Sequence, residues 1–160
     1  MRKEKVSFEL EVLDSVDELS QVHRQLLQSA HKARVDAYAP YSNFQVGAAV
    51  LLGNGEVVIG SNQENASFPS GLCAERVAVF QAGAKFPGVV ISAIAISAAS
   101  KGKAVTRPVA PCGNCRQAIL EYELRQGCPI TLILMGKDGQ IIKCPSIGNL
   151  LPLAFDNSFL

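Results

Sequence analysis

The sequence predicts an α/β protein, a three-layer α/β/α sandwich built around a mixed sheet of about five strands. Segments with helical spacing of apolar residues alternate with segments typical of strands, and a hairpin turn joins two of those strands. The apolar run at 89–98, which contains β-branched residues, is typical of a central strand that is buried on both faces. Helices packed on both faces of one sheet would bury such a strand.

The first fourteen residues predict an additional strand at an edge of this sheet. Apolar side chains alternate there with polar ones, the period of a half-buried strand: Val6, Phe8, Leu10 and Val12. We expect this strand to have no catalytic role, because it precedes every motif described below.

An amphipathic helix is predicted next. Ser15 and Glu18 form the capping-box pattern that begins a helix, and Pro40 lies beyond its end. His23 and His31 are too far apart for the i, i+4 spacing of metal ligands, so we interpret them as exposed or packing side chains. The apolar stripe of this helix consists of Leu19, Val22, Leu26, Ala30 and Ala33.

A β-hairpin follows, with strands expected at 44–52 and 57–61. The turn between them is Gly53-Asn54-Gly55, and glycine and asparagine accept the positive φ that hairpin turns require. A second helix is expected to begin at Cys73 and to reach about Gly83. We expect three of its side chains to face inward: Val77, Ala78 and Phe80.

The second half of the chain continues the alternation. Pro108 and Pro111 stiffen a polar loop that leads from the central strand to Cys112. Gly113 begins a third helix, which continues through Leu124, and strands are expected at 130–135 and 140–143. Because no repeat or linker interrupts the pattern, residues 1–160 are predicted to form one domain.

The composition excludes several classes of protein. A hydrophobic fraction of 48% and a charged fraction of 18% are typical of a folded domain. A net charge of +1 without a basic cluster argues against nucleic acid as a partner. The sequence contains neither an apolar run of membrane-spanning length nor a signal-peptide core at its N-terminus. We therefore expect a cytoplasmic protein without a membrane partner.

Cysteines are the strongest functional signal. The chain has five, two of them spaced C-x-x-C, and in a cytoplasmic protein this pattern favours metal or redox chemistry over disulfides. Cys73 begins one predicted helix, and Cys112 and Cys115 begin another. Helix N-termini lower the pKa of a thiol and favour the thiolate that binds zinc. Three such ligands leave a fourth position for water. Cys128 and Cys144 lack a paired spacing and are interpreted as buried or idle thiols.

Two charged residues follow Cys73 directly on the predicted helix. Glu75 lies in its first turn, where a carboxylate close to the metal can take a proton from water and pass it to a leaving group. Arg76 is expected beside the ligand sulfurs, where its charge offsets that of three thiolates. A surface salt bridge is the alternative for Arg76. A structural zinc site or a redox C-x-x-C module is the alternative for the whole cluster, although a closed zinc site needs a fourth ligand that the spacing does not provide.

The combination C-x-E followed by P-C-x-x-C matches the three-cysteine form of the zinc nucleobase deaminase signature. From Tyr41 onward the chain resembles the small homotetrameric cytidine deaminases. The matching segments are Pro40-Tyr41-Ser42-Asn43-Phe44-Gln45-Val46-Gly47-Ala48-Ala49, Asn62-Gln63-Glu64-Asn65-Ala66, Cys73-Ala74-Glu75-Arg76, Pro111-Cys112-Gly113-Asn114-Cys115-Arg116-Gln117, and Leu150-Leu151-Pro152 with Phe155.

The resemblance implies a role for individual residues. It implies that the three cysteines of the cluster hold Zn²⁺ and that Glu75 is the catalytic proton shuttle. The implied substrate contacts are Asn62 and Glu64 with the ribose hydroxyls, the Ala66 N–H with the base carbonyl, Phe44 with the pyrimidine ring, and Phe155 as an aromatic contributed from a neighbouring subunit. From the residues alone, core or interface packing is the favoured interpretation of Phe44 and Phe155, and only the resemblance reverses it.

The implied function is zinc-dependent hydrolytic deamination of cytidine and 2′-deoxycytidine in pyrimidine salvage. The implied assembly is a homotetramer with sites at subunit interfaces. Another small cytosine-containing compound is the alternative substrate. The sequence departs from the family pattern at Phe68, where Tyr is common, and at Ala110, where Ser is common, and each departure removes a hydroxyl near the expected site.

Overall fold

A computed structural model describes residues Met1–Leu160 as one six-stranded mixed sheet with the strand order β1-β6-β5-β4-β2-β3. The strands β4 and β5 are parallel, and all other neighbours are antiparallel. The mixed sheet is as predicted, with six strands rather than about five. The strands are β1 Glu11–Leu13, β2 Phe44–Leu52, β3 Val57–Ser61, β4 Ile91–Ser100, β5 Thr131–Met135 and β6 Ile141–Cys144.

Three helices cover the two faces of this sheet: α1 Gln21–Val35, α2 Ala74–Lys85 and α3 Gly113–Gln126. On one face, α1 packs through Leu26 and Ala30 against side chains such as Ala95 and Ile133. On the other face, α2 and α3 share a core with the side chains that alternate with these along the strands and therefore point to the opposite side of the sheet. These two separate cores confirm the three-layer α/β/α arrangement. None of the helices has both the length and the apolarity that crossing a lipid bilayer requires.

Two glycines set how closely the helices approach the sheet. A Cβ atom on Gly47 in β2 would lie 2.1 Å from the carbonyl oxygen of Ala30 in α1. A Cβ atom on Gly60 in β3 would lie 2.7 Å from the carbonyl oxygen of Ala74 and 2.6 Å from the nitrogen of Ala78. Only residues without a side chain permit such backbone contacts. Gly60 therefore determines where the first turn of α2 rests on the sheet.

The N-terminal strand prediction is largely wrong. Only Glu11–Leu13 pair, antiparallel to β6, and residues 1–10 have no regular secondary structure. Val6 and Phe8 are 63% and 48% exposed, because no helix or loop covers them. The capping box of Ser15 is present, but it caps a short 3-10 turn at Val16–Glu18, and Ser20 caps α1.

The hairpin is as predicted, with Gly55 at a φ of 88° in its turn. The inward prediction for Phe80 is wrong, since this side chain is 44% exposed. The buried stripe of α2 consists of Ala74, Glu75, Ala78, Val79 and Ala82, which lie on one helical face away from Phe80.

Candidate metal centre and active site

The start of α2 and the start of α3 bring three cysteines together. Cys73 is the N-cap of α2, Cys112 is the N-cap of α3, and Cys115 lies in the first turn of α3. Their Sγ atoms all lie within 4.8 Å of one another, and those of Cys73 and Cys112 are 3.9 Å apart. Tetrahedral zinc with bonds of about 2.3 Å would separate its sulfur ligands by ~3.8 Å. The thiol donors therefore fit Zn²⁺ in type, number and spacing.

The exposure of the three cysteines differs around the cluster. Cys115 is fully buried, Cys73 is half-buried and Cys112 is exposed. The side chains of Cys73 and Cys112 form no capping hydrogen bond with their own helices, so both sulfurs remain available as ligands. A metal held here is thus backed by the core on one side and accessible on the other, which is the arrangement of a catalytic rather than a closed structural site.

One thiol of the cluster ionises readily. Hydrogen bonding from Cys115 and then from Arg76 and Cys112 lowers the pKa of Cys73 to about 5, although burial opposes this shift. The hydrogen bond to Cys73 and burial raise the pKa of Cys115. Cys73 is thereby favoured as a thiolate, the form that binds zinc.

Arg76 lies beside the thiols of Cys73 and Cys115. Burial lowers the pKa of its guanidinium, but the neighbouring Cys73 and Cys115 outweigh that effect, and the net pKa is raised. Its buried Nε has no hydrogen-bond partner within the chain. The side chain consequently places positive charge next to the thiols, and it forms no salt bridge with a carboxylate.

Glu75 points into the same region from the first turn of α2, and it is only 5% exposed. Burial raises the pKa of its carboxyl to about 6, and the negative charge of Cys73 acts in the same direction. A carboxyl group that titrates near neutral pH can both accept and donate a proton under ordinary conditions. This is the protonation behaviour that a proton shuttle requires.

A cavity of about 250 Å³ opens beside the cluster. Four of the predicted site residues line it, namely Asn62, Glu64, Cys73 and Arg76, together with Gln63, Asn65, Phe68, Gly71 and Leu72. A larger cavity of about 500 Å³ lies between the start of β4 and the end of α3, and none of the predicted site residues lines it. The chemistry-bearing residues therefore single out the smaller cavity.

The polar side chains of this cavity are held by the backbone before and within β2. Asn62, 8% exposed, accepts a hydrogen bond from the N–H of Val46 at 2.8 Å and donates one to the carbonyl of Phe44 at 3.0 Å. Glu64 accepts hydrogen bonds from the N–H groups of Tyr41 (2.9 Å) and Ser42 (3.2 Å) and from the Ser42 hydroxyl. These bonds lower the pKa of Glu64, with the Ser42 hydroxyl contributing most. Sequence reasoning did not identify this role of Tyr41 and Ser42, although both belong to the matching segment.

Three predicted substrate contacts do not line this cavity. Ala66 is exposed, and its N–H makes no hydrogen bond within the chain. Phe44 is half-buried and lines a separate depression of about 300 Å³ with residues of the 100–109 loop. Phe155 is 59% exposed and stacks on Phe159 with ring centroids 5.7 Å apart.

The two departures from the family pattern lie in different settings. Phe68 lines the cavity and is 74% exposed, with its ring edge-to-face against Tyr41 at 6.0 Å. Ala110 is exposed and does not line the cavity.

The two remaining cysteines lie outside the cluster. Cys128 is exposed, and Cys144 is buried with its thiol directed at the carbonyl of Ser146.

Comparison with known proteins identifies the same family. Residues 20–128 match the sequence model of the "Cytidine and deoxycytidylate deaminase zinc-binding region". A cytidine deaminase of Halalkalibacterium halodurans is 44% identical over 131 residues, which cover 81% of this chain and 91% of that protein. A cytidine deaminase of Sporosarcina psychrophila is 39% identical over 136 residues, covering 84% of this chain and 92% of that protein.

A solved structure agrees with these sequence matches. The crystal structure of cytidine deaminase from Burkholderia pseudomallei superimposes with a TM-score of 0.72 at 41% identity, covering 83% of this chain and 98% of that chain. The fold, the three-thiol cluster and these matches lead to one conclusion: the chain belongs to the cytidine and deoxycytidylate deaminase family of zinc-binding proteins.

Proposed function

We propose that this protein is a zinc-dependent enzyme that hydrolyses cytidine and 2′-deoxycytidine to uridine and 2′-deoxyuridine, releasing ammonia. One observation carries the proposal: three thiols spaced for a single zinc ion lie close to the buried carboxyl of Glu75, and one of them, Cys73, lines an open cavity. The names and extent of similarity of the relatives described above support the same reaction.

Each residue of the cluster has a part in this proposal. Cys73, Cys112 and Cys115 would hold the zinc ion, and the bound ion would supply a Lewis acid that activates water for attack on C4 of the cytosine ring. Glu75 would take a proton from that water and deliver it to N3 of the ring. It would then take the proton of the new hydroxyl on C4 and deliver it to the amine, which departs as ammonia. Its raised pKa supports both directions of transfer. Arg76 offsets the negative charge of the thiolates, so that the water stays acidic enough to be activated.

The proposed substrate contacts involve the amides and carboxylates of the cavity. Asn62 and Glu64 are assigned to the ribose hydroxyls, because their side chains line the cavity and a carboxylate and an amide can pair with a diol. The unpaired N–H of Ala66 is assigned to the base carbonyl, and Phe44 to the face of the ring. The sole cation lining the cavity, Arg76, faces the sulfurs, which favours a nucleoside over a nucleotide with a 5′-phosphate.

We also propose that the enzyme is a homotetramer with its sites at subunit interfaces. Exposed apolar side chains surround the cavity, namely Tyr38, Tyr41, Phe68 and Leu72. Such a patch is typical of a surface that another protein covers. Phe155 is assigned to the site of a neighbouring subunit, because in its own chain it is exposed and lies outside the cavity.

The five cysteines are free thiols, and free thiols are typical of proteins of the reducing cytoplasm. This fits the proposed place of the enzyme in cytoplasmic pyrimidine salvage.

The decisive experiment combines a substrate panel with metal analysis. Purified protein is incubated with cytidine, 2′-deoxycytidine, deoxycytidylate and free cytosine, and the loss of the cytosine absorbance and the release of ammonia are followed. We expect turnover of the two nucleosides by protein containing one zinc per chain, with little turnover of the nucleotide. Zinc-loaded protein that is inactive on both nucleosides would overturn the proposal. Sedimentation analysis tests the tetramer separately.

A further inference from the structure

The carbonyl directly before the metal ligand Cys112 is held by a charged side chain. Nε of Arg116 donates a hydrogen bond to the carbonyl of Pro111 at 2.8 Å, and Nη1 donates one to the carbonyl of Leu150 at 2.6 Å. The backbone N–H of Arg116 also donates to the carbonyl of Cys112 at 2.9 Å. One residue thus contacts both peptide carbonyls that flank the Cys112 position and links them to the C-terminal segment.

The loop that leads to Cys112 has few other hydrogen bonds. Residues 106–111 lie in no helix or strand, and Pro108 and Pro111 have no N–H to donate. Among the hydrogen bonds of the chain, the bond from Arg116 to Pro111 is the only one that involves a residue of this stretch. Packing holds Pro111, which is buried, but it does not hold Cys112, which is exposed. The bond from Arg116 therefore fixes the carbonyl between the packed residue and the exposed ligand.

The other end of the Arg116 fork rests on a rigid segment. Leu150 ends a 3-10 turn at Ile147–Leu150, which follows β6. The buried carboxylate of Glu123 accepts hydrogen bonds from the N–H groups of Ile147 and Gly148 and from the hydroxyl of Ser146. Arg116 and Glu123 are seven residues apart, so they lie on the same face of α3, two turns from one another. This face of α3 therefore fixes both ends of the turn.

The approach to Cys73 is built differently. There Gln63 and Leu72 form a two-way backbone bridge, with N–H to carbonyl distances of 2.8 and 2.9 Å. The Cys73 ligand is consequently fixed by main-chain bonds to the neighbouring cavity wall, whereas the Cys112 ligand depends on a side chain. Removing one side chain, that of Arg116, can therefore loosen the approach to Cys112 while the main-chain bonds before Cys73 stay in place.

From this asymmetry we propose that Arg116 is a positioning residue of the metal centre. It fixes the Pro111–Cys112 ligand loop by anchoring it to the C-terminal segment, and so slows the release of zinc. The segment after β6 therefore helps to hold the metal ligand in place, although it contributes no ligand itself. The inference rests on the proposed zinc enzyme for its metal, but it does not depend on which substrate is used.

The test compares zinc release from the wild-type holoprotein with release from Arg116→Met and Arg116→Lys. Methionine keeps the apolar stem without any donor, whereas lysine keeps the charge but carries its donors on a single nitrogen and lacks the planar fork that joins the two carbonyls. The rate constant is measured with an excess of a chromogenic chelator. We expect Arg116→Met to release zinc about 10- to 100-fold faster, the range found when hydrogen-bonding groups around a metal site are removed, with Arg116→Lys in between.

Arg125→Met is the matched control, because Arg125 lies on the same helix but stacks on the ring of Tyr122 instead of contacting the ligand loop. It should release zinc at the wild-type rate. The stability of each metal-free variant is measured by unfolding, and zinc release is compared under conditions in which the variants are equally folded. A faster release then reflects a change at the metal site and not a loss of the whole fold. The absorption of Co²⁺-substituted protein reports ligand geometry directly. Unchanged release and spectra in Arg116→Met would overturn the inference, whereas wild-type protein that binds no zinc would overturn the proposed function itself.

Discussion

The side chain of Asn62 donates a hydrogen bond to the carbonyl of Phe44 at 3.0 Å, and this bond connects the cavity wall to the start of β2. The side-chain oxygen of Asn62 accepts the N–H of Val46, and the backbone N–H of Asn62 donates to the Val46 carbonyl at 3.1 Å. Asn62 thus extends the pairing with β2 beyond the end of β3. A residue predicted to bind substrate is therefore also a structural support. Its substitution has two separable consequences, for stability and for activity.

Replacement of Asn62 by alanine should lower both stability and activity. It leaves the buried N–H of Val46 and the carbonyl of Phe44 without partners, which should cost about 1–3 kcal/mol of the free energy of unfolding. Urea unfolding measures this loss, and kcat/KM with cytidine measures the functional one. Asn157→Ala is the control, because Asn157 is exposed and its side chain makes no hydrogen bond. Equal stability of Asn62→Ala and wild-type protein would contradict the structural role.

Glu75→Gln should abolish turnover while zinc remains bound. The amide has nearly the same shape but cannot accept and return a proton, so kcat should fall at least about 100-fold. Zinc content is measured on the same sample by atomic emission. Glu121→Gln, on the exposed face of α3, should retain wild-type kcat. A Glu75→Gln protein with full zinc and near wild-type kcat would refute the proton shuttle.

Removal of one ligand thiol should remove the metal. Cys115→Ala takes away the buried sulfur of the cluster, and we expect its zinc content to fall from about one per chain to near zero after dialysis against a weak chelator. Cys128→Ala, which removes an exposed thiol outside the cluster, should keep its zinc and its activity. Stoichiometric zinc in Cys115→Ala would show that the ligands lie elsewhere.

Gly60→Ala should disturb the metal centre through the first turn of α2. The new methyl group would lie 2.7 Å from the Ala74 carbonyl oxygen, so the helix start must move away from β3. We expect a loss of about 1–3 kcal/mol in unfolding free energy, typical of overpacking, together with weaker zinc retention. Gly102→Ala is the control, since nothing lies within 4 Å of its added atom. Wild-type stability and zinc retention in Gly60→Ala would contradict this contact.

Glu123→Ala should be among the most destabilising single substitutions on α3. The carboxylate of Glu123 accepts hydrogen bonds from Ile130, Ser146, Ile147 and Gly148. Alanine would leave the N–H groups of Ile130 and Ile147 without a partner, whereas the Gly148 N–H would keep its bond to the Ser146 hydroxyl. We expect a loss of about 3 kcal/mol or more in the free energy of unfolding, measured with urea. Glu121→Ala removes an exposed carboxylate two residues away and should change stability by less than ~0.5 kcal/mol.

The sequence by itself determined the features that depend on neighbouring residues. The hairpin around Gly55, the three helices and the central strand follow from local spacing, turn chemistry and capping, which act over a few residues. The motifs at Cys73 and Cys112 are local in the same sense, since each combines a ligand with the helix start that carries it. The prediction of zinc needed only the number and type of these ligands, and the cluster agrees with it.

Only the tertiary structure decided the features that join distant parts of the chain. Alternation at Val6 and Phe8 predicted a strand that does not form, because pairing requires a partner that β6 offers only to Glu11–Leu13. The bond of Glu64 to Ser42 and the bond of Arg116 to Leu150 join residues 22 and 34 positions apart. No local pattern encodes such contacts, since they exist only once the sheet has brought the helix starts and the C-terminal segment together.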